Sequence, residues 1–163
     1  MASEAPKRRL NKIVGGSAAV GAMLLAAVAA FEGKSNDPYQ DIVGVWTVCY
    51  GETRVDMKHY TTAQCQDMLA TALGDYATGV LKRNPALKDH PYQLAAATSL
   101  AYNIGLANYG KSSAAKAFDR GRWADGCRRM TFWNRAGGKV VKGLVKRRQA
   151  EYNICMSDLG DKQ

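Results

Sequence analysis

Apolar and polar positions divide this chain into an uncharged front and a patterned remainder. Residues 13–31, IVGGSAAVGAMLLAAVAAF, carry no charged side chain. As one helix, nineteen residues span about 28 Å, close to the ~30 Å hydrocarbon core of a bilayer. Lys7, Arg8, Arg9 and Lys12 precede the segment against one acid, Glu4. A basic flank stays cytoplasmic, so the pattern predicts an inside N-terminus and export of everything after Phe31. The segment is weakly apolar, because eleven of its nineteen residues are Gly, Ala or Ser. Its insertion is marginal, and escape from the lipid is physically possible. Three fates compete: cleavage after Ala27-Val28-Ala29 as a signal peptide, permanent anchoring, and an anchor that can be released. Position favours release, since cleavage would leave Glu32 third from a frayed terminus. A catalytic acid needs a rigid support. Ala18, Ala22, Ala26 and Ala30 form a small-residue stripe. Such a stripe is expected to pack on another helix once the segment leaves the lipid.

After Glu32 the helical period breaks. Gly33, Asn36, Asp37 and Pro38 predict a turn. Tyr39 to Tyr60 is rich in Val, Ile, Trp, Thr and Tyr, which predicts a short β-hairpin with Asp41 near its start and Thr47 within it. Thr61-x-x-Gln64 reads as a capping box. The helix it opens has apolar residues at Cys65, Met68, Leu69, Ala72, Leu73, Tyr76 and Val80, and ends at Asn84-Pro85. Pro91 starts an Ala-rich helix that runs to Gly105 and is apolar nearly all round, as a buried core helix is. Shorter helices are expected at Ser113–Arg120 and Trp123–Phe132, a turn at Gly137-Gly138, and a last helix over Val140–Met156. The expected class is α+β, mostly helical, with a small β-hairpin lobe and a helical lobe joined by a long helix.

Charge and cysteine usage narrow the setting. The 163 residues suit one domain and carry a formal charge of +9. Twelve Lys or Arg and two acids, Asp119 and Asp125, lie between Lys111 and Arg148. That stripe suits nucleic acid, anionic lipid or an anionic wall polymer, or is simply a solvated face. Export argues against nucleic acid. No CxxC pair occurs and His59 and His90 stand far apart, which argues against a metal site. Four cysteines behind an export segment point to disulfides. Three pairings are possible; Cys49 with Cys65 and Cys127 with Cys155 keeps each bridge within one lobe. Four buried free thiols are the alternative.

The candidate chemistry is Glu32-x8-Asp41-x5-Thr47. Sugar hydrolysis needs an acid and a base flanking one glycosidic bond. Glu32 would end an apolar helix beside Phe31, where partial burial favours the protonated form that a general acid uses. Asp41, in a polar turn, would stay ionised as the base, and the Thr47 hydroxyl would hold a water. Spacing alone is a moderate signal among fourteen acids. Asn103 is a candidate sugar contact or a structural hydrogen bond, and Trp133 a stacking platform or a core residue. Arg147 and Arg148 would meet wall carboxylates, or one of them would pair with Glu151. His59 and His90 read as loop residues.

FEG, YQD, GVWTVCYGET, AYNIG and WNRAGGKVVKGLVKRRQAE together closely resemble the phage-type lysozymes, glycoside hydrolase family 24. Within that family the chain is most similar to endolysins that carry a signal-arrest-release segment. The resemblance covers residues 7–156. It implies a lysozyme-like fold and a muramidase that cleaves the β-1,4 bond between N-acetylmuramic acid and N-acetylglucosamine, with inversion. Glu32, Asp41 and Thr47 match the family's acid, aspartate and threonine. The resemblance implies no cofactor, peptidoglycan as substrate, and a monomer. It also implies residues 1–31 as tip and membrane segment and 32–163 as catalytic domain. The protein would sit in the inner membrane through residues 13–31 and enter the periplasm when the membrane potential is lost. Some relatives have a linker before the glutamate, but here Ala30-Phe31-Glu32 is continuous. Residues 13–31 contain no cysteine, so control by thiol exchange with the anchor is not expected. The contrasting class is a non-enzymatic, membrane-anchored basic protein that binds anionic lipid or wall polymer.

Overall fold

The computed structural model describes residues 4–15 and 18–160. Residues 1–3 of the expected tip, and Gly16 and Ser17 of the expected membrane segment, lie outside the described residues. The apolar front is not one helix in this conformation. Helix α1 (Ala5–Ile13) and helix α2 (Ala18–Glu32) lie at 107° to one another. Gly15 fits the bend on two counts. Its φ is +120°, and an added Cβ would stand 2.8 Å from Cβ of Pro91. No single described helix is long and apolar enough to cross a membrane; α1 and α2 pass that test only as a bent pair.

Two short strands follow, β1 (Ser35–Gln40) and β2 (Trp46–Cys49), paired antiparallel with Tyr39 opposite Thr47 and Gln40 opposite Trp46. The turn expected at Asn36-Asp37-Pro38 is instead strand. The ladder is irregular between Ser35 and Tyr39, which accommodates a Pro38 that has no N–H to donate. Tyr60 N–H donates to the Asn36 carbonyl at 2.9 Å, and Asn36 Nδ2 donates to the Tyr60 carbonyl at 2.7 Å. This exchange ties the hairpin to the start of α3 (Thr62–Arg83), the long connecting helix. The capping box at its start is present, with Thr61 Oγ1 accepting from Gln64 N–H and Gln64 Oε1 accepting from Thr61 N–H.

After a 3-10 turn (Pro85–Asp89) comes α4 (Pro91–Ile104), whose Gln93–Ala101 run is buried on every side, as its sequence predicted. It ends at Gly105, φ +88°. Four further helices follow: α5 (Leu106–Lys111), α6 (Ser113–Asp119), α7 (Trp123–Met130) and α8 (Lys142–Met156). Of these α5 was not expected. A two-residue ladder, β3 (Arg135–Ala136) with β4 (Lys139–Val140), brackets Gly137-Gly138. Helices α2, α3, α7 and α8 all pack on α4. Disulfides join Cys49 of β2 to Cys65 of α3, and Cys127 of α7 to Cys155 of α8.

The front helices are part of this core. Leu10 and Val14 are buried, α1 packs on α3, and Arg9 forms an ion pair with Asp75 at 3.0 Å. Helix α2 buries Val20, Gly21, Leu24 and Val28. The stripe Ala18, Ala22, Ala26 and Ala30, expected to be the packing face, is exposed. Burying the larger side chains removes more apolar surface from water per residue, and that difference chooses the face.

Candidate active site

Glu32 is the last residue of α2, so the packing of that helix fixes where its carboxylate stands. Its chief partner is Arg147 of α8, whose Nη1 donates to Glu32 Oε1. Phe31, expected to lend Glu32 apolar surroundings, is itself exposed to solvent, and its ring lies 5.8 Å from the Arg147 guanidinium.

Arg147 belongs to a buried network. Glu151 lies four residues after Arg147 and three after Arg148, so each arginine is its neighbour on the inner face of α8. All three side chains are at most 5 % exposed. Glu151 Oε2 accepts from Ser99 Oγ, from Arg148 Nη2 at 3.2 Å and from Arg147 Nε at 3.4 Å. Arg148 Nε lies 2.7 Å from Glu151 Oε1, an ion contact at an angle unsuited to a hydrogen bond. Arg148 also donates to Asn103 Oδ1 at 3.0 Å and to the Trp133 carbonyl at 3.2 Å. Burial pushes the Glu151 carboxyl up and the Arg148 guanidinium down, while their mutual attraction opposes both shifts. Two arginines and two carboxylates leave the group balanced, which buried charge requires. The expected Glu151 pair is therefore present for both arginines. The link from Arg147 to Glu32 had no sequence signal.

Glu32 lines a cleft of about 400 Å³ with Tyr50, Gly51, Glu52, Thr53, Arg54, Ala72, Tyr76 and Tyr102. Tyr102 Oη donates to the Tyr50 carbonyl at 3.1 Å and its ring meets Tyr76 edge-on at 5.2 Å. Burial raises the Tyr102 phenol, and the charges of Glu32 and Glu52 raise it further, so it remains a protonated donor at neutral pH.

Asp41 and Thr47 form a second group on the hairpin. The Val45 carbonyl joins them, accepting from Asp41 N–H at 2.9 Å and from Thr47 Oγ1 at 3.0 Å. Asp41 Oδ1 accepts from the N–H groups of Val43 and Val45, both at 2.9 Å. One carboxylate oxygen thus orients the side chain. Thr47 is 5 % exposed. Neither residue is among those lining the Glu32 cleft, nor are Asn103 and Trp133. Asn103 braces Arg148, and Trp133 is half-buried against the core. Sequence reasoning singled out neither Glu52 nor Ser99. Among the described residues no cluster of His, Cys, Asp and Glu could hold a metal ion.

A two-lobed, mostly helical domain with a helix-end glutamate facing a cleft defines a lysozyme-like protein. The comparisons agree. The phage lysozyme family matches residues 29–151, and the chain belongs to that family. A SAR-endolysin of Enterobacteria phage P21 is 39% identical over 152 residues, 88% of this chain and 90% of that protein. The crystal structure of the active form of the P1 phage endolysin Lyz aligns with TM-score 0.76 at 23% identity, covering 86% of each chain. The secreted inactive form of the same endolysin aligns at 0.55 and 20% identity, covering 84% of this chain and 97% of that one.

Proposed function

We propose that this chain is an endolysin muramidase that hydrolyses the β-1,4 bond between N-acetylmuramic acid and N-acetylglucosamine to lyse the host. The observation that carries the reading is Glu32 at the end of a packed helix, paired with Arg147 and facing a tyrosine-lined cleft, in a chain of the phage lysozyme family. Glu32 gives its proton to the leaving glycosidic oxygen. Water attacks the anomeric carbon from the opposite face, Asp41 takes its proton, and Thr47 orients it, so the configuration inverts. Arg147 then stands beside the negative charge left on Glu32, as a charge-assisted hydrogen-bond partner. No cofactor takes part, and the enzyme acts as a monomer without nucleic acid.

The P21 relative's description as a SAR-endolysin supports a membrane-held precursor. Residues 13–31 span the inner membrane, with the basic tip cytoplasmic and the catalytic domain periplasmic. In that state α2 cannot bury Val20, Leu24 and Val28 in the domain, and Glu32 is kept from its cleft. Release lets α1 and α2 dock, and the anchor becomes part of the active fold. The test is reducing-sugar release from purified peptidoglycan. Glu32→Gln and Asp41→Asn should each lower the rate by about 10²–10⁴ with the fold intact, and Thr47→Ala by less. Near-normal activity of Glu32→Gln would remove the mechanism. A chain lacking residues 1–30 should be inactive, and full activity without them would refute the docking role.

A further inference from the structure

The cleft contains a second carboxylate that the acid–base pair does not use. Glu52 is 15% exposed, and its backbone pairs with Val48 of β2 at 2.9 Å in both directions. It is therefore fixed to the strand that carries Thr47. Its Oε1 accepts from Thr53 N–H at 3.1 Å, Arg54 N–H at 2.9 Å and Arg54 Nε at 3.4 Å. Among the described residues Oε2 makes no hydrogen bond, yet it is not sealed from solvent. One oxygen is tied to the loop and the other is an open acceptor on the cleft wall. Arg54 is 73% exposed, so its hold on the carboxylate is weakened by water.

The cleft continues past this residue. A second hollow of about 240 Å³, bordered by Asp67, Met68, Thr71 and Asp75, shares Glu52, Arg54 and Ala72 with the first. A chain-like ligand running from Glu32 into that hollow must pass Glu52. An ionised carboxylate only accepts hydrogen bonds. A glycan of N-acetylated amino sugars offers O–H and amide N–H donors along its length.

We propose that Glu52 is a substrate-positioning carboxylate whose Oε2 accepts a hydrogen bond from a hydroxyl or acetamido N–H of a sugar bound beyond the scissile bond. The inference rests on the muramidase reading and adds a specificity-determining residue to it. Glu52 fixes how far the glycan slides before Glu32 meets a glycosidic oxygen. Glycans whose amino groups and hydroxyls are blocked as esters or bulky amides lose this contact.

Glu52→Gln is a sharp probe. The amide oxygen must take the Oε1 place to keep the bonds from Thr53 and Arg54, which puts an NH₂ donor where the open acceptor was. Binding of an N-acetylglucosamine tetramer is measured by calorimetry in a Glu32→Gln background, with and without Glu52→Gln. The second substitution should weaken binding about ten- to hundredfold, the worth of one hydrogen bond to a charged group. In the otherwise unaltered chain, Glu52→Gln should raise KM for peptidoglycan by a similar factor and change kcat by less than about threefold. Its melting temperature should stay at the parent value, whereas Glu52→Ala, which loses the loop bonds, should lower it. Unchanged tetramer affinity and KM in Glu52→Gln would overturn the inference. So would a melting temperature depressed as far as in Glu52→Ala, which would make the role structural. Absence of hydrolysis by the unsubstituted chain would sink the muramidase reading instead, and the tetramer titration distinguishes the two failures.

Discussion

If the active fold includes α1, release must carry its basic residues across the membrane, and their charge sets the sensitivity to voltage. Residues 4–12 hold Lys7, Arg8, Arg9 and Lys12 against Glu4, a net of three positive charges. Moving one charge outward against a cytoplasm-negative potential costs about 2.3 kcal/mol per 100 mV. Three charges therefore hold the tip inside by about 7 kcal/mol at roughly 100 mV. The gain on the far side is smaller. Leu10 alone moves from water into the core, which is worth about 2 kcal/mol. The residues of α2 only exchange lipid for protein.

Arg8→Gln with Lys12→Gln tests this. Both side chains are exposed in the docked fold, and Arg9, which pairs with Asp75, is left in place. The double variant should lose about 4.6 kcal/mol of retention at 100 mV, roughly a 10³-fold shift toward release. Fractionation of energised cells should find it largely in the periplasm, uncleaved, while the parent waits for depolarisation. The purified variant should melt with the parent and hydrolyse peptidoglycan at the parent rate. Equal retention of both proteins in energised membranes, and release at the same moment on depolarisation, would refute the argument.

Gly21→Leu and Ala19→Leu should both strengthen membrane retention, but only the first should damage the docked fold. A Cβ on Gly21 would stand 1.7 Å from Asn11 Oδ1, whereas Ala19 is exposed. Overpacking of about 1–3 kcal/mol should show as a lower melting temperature for Gly21→Leu in detergent-released protein. Replacing Cys127 and Cys155 with Ser should cost about 2–4 kcal/mol in a denaturant titration, and a full-length thiol count should find no free cysteine in the parent. Hydrogen bonds from Arg129 and then Arg128 hold the Asp125 carboxyl below its ordinary range. Such a group stabilises above its unfolded pKa, and the benefit is lost as pH falls through the folded one. The melting temperature of Asp125→Asn should therefore sit slightly below the parent's at neutral pH and converge with it in acid.

What was legible in the chain was local. The Thr61–Gln64 box, the apolar spacing of α3 and the glycine after α4 each act within a few residues. They were read correctly because neighbours alone determine them. The strand at Asn36-Asp37-Pro38 was missed because its pairing energy comes from Tyr60 and Cys49, not from its own turn-forming residues. The partnership of Glu32 with Arg147 spans 115 positions and has no periodic signature. Glu52 was one of fourteen acids until backbone pairing with Val48 placed it in the cleft. The face of α2 was misread because a helix rich in Ala offers a stripe of small residues at several rotations. Only the shape of the groove selects among them.

That composition has a second consequence. A segment used in both lipid and water faces opposing demands. Large apolar side chains all round would secure it in the bilayer but leave a greasy surface when it docks. A strongly polar outer face would suit water but oppose insertion. Alanine satisfies both, since it adds little apolar surface and costs little to leave wet. In α2 the larger residues Val20, Leu24 and Val28 are buried, while Ala18, Ala19, Ala22, Ala26 and Ala30 face outward. Met23 and Phe31 are the large side chains left exposed, at 37% and 38%. The weakness that makes insertion marginal is thus the property that lets the docked helix tolerate water. Because Glu32 ends that helix, the proposed release would make the same small residues govern both when Glu32 leaves the membrane and whether it is held at the cleft afterwards.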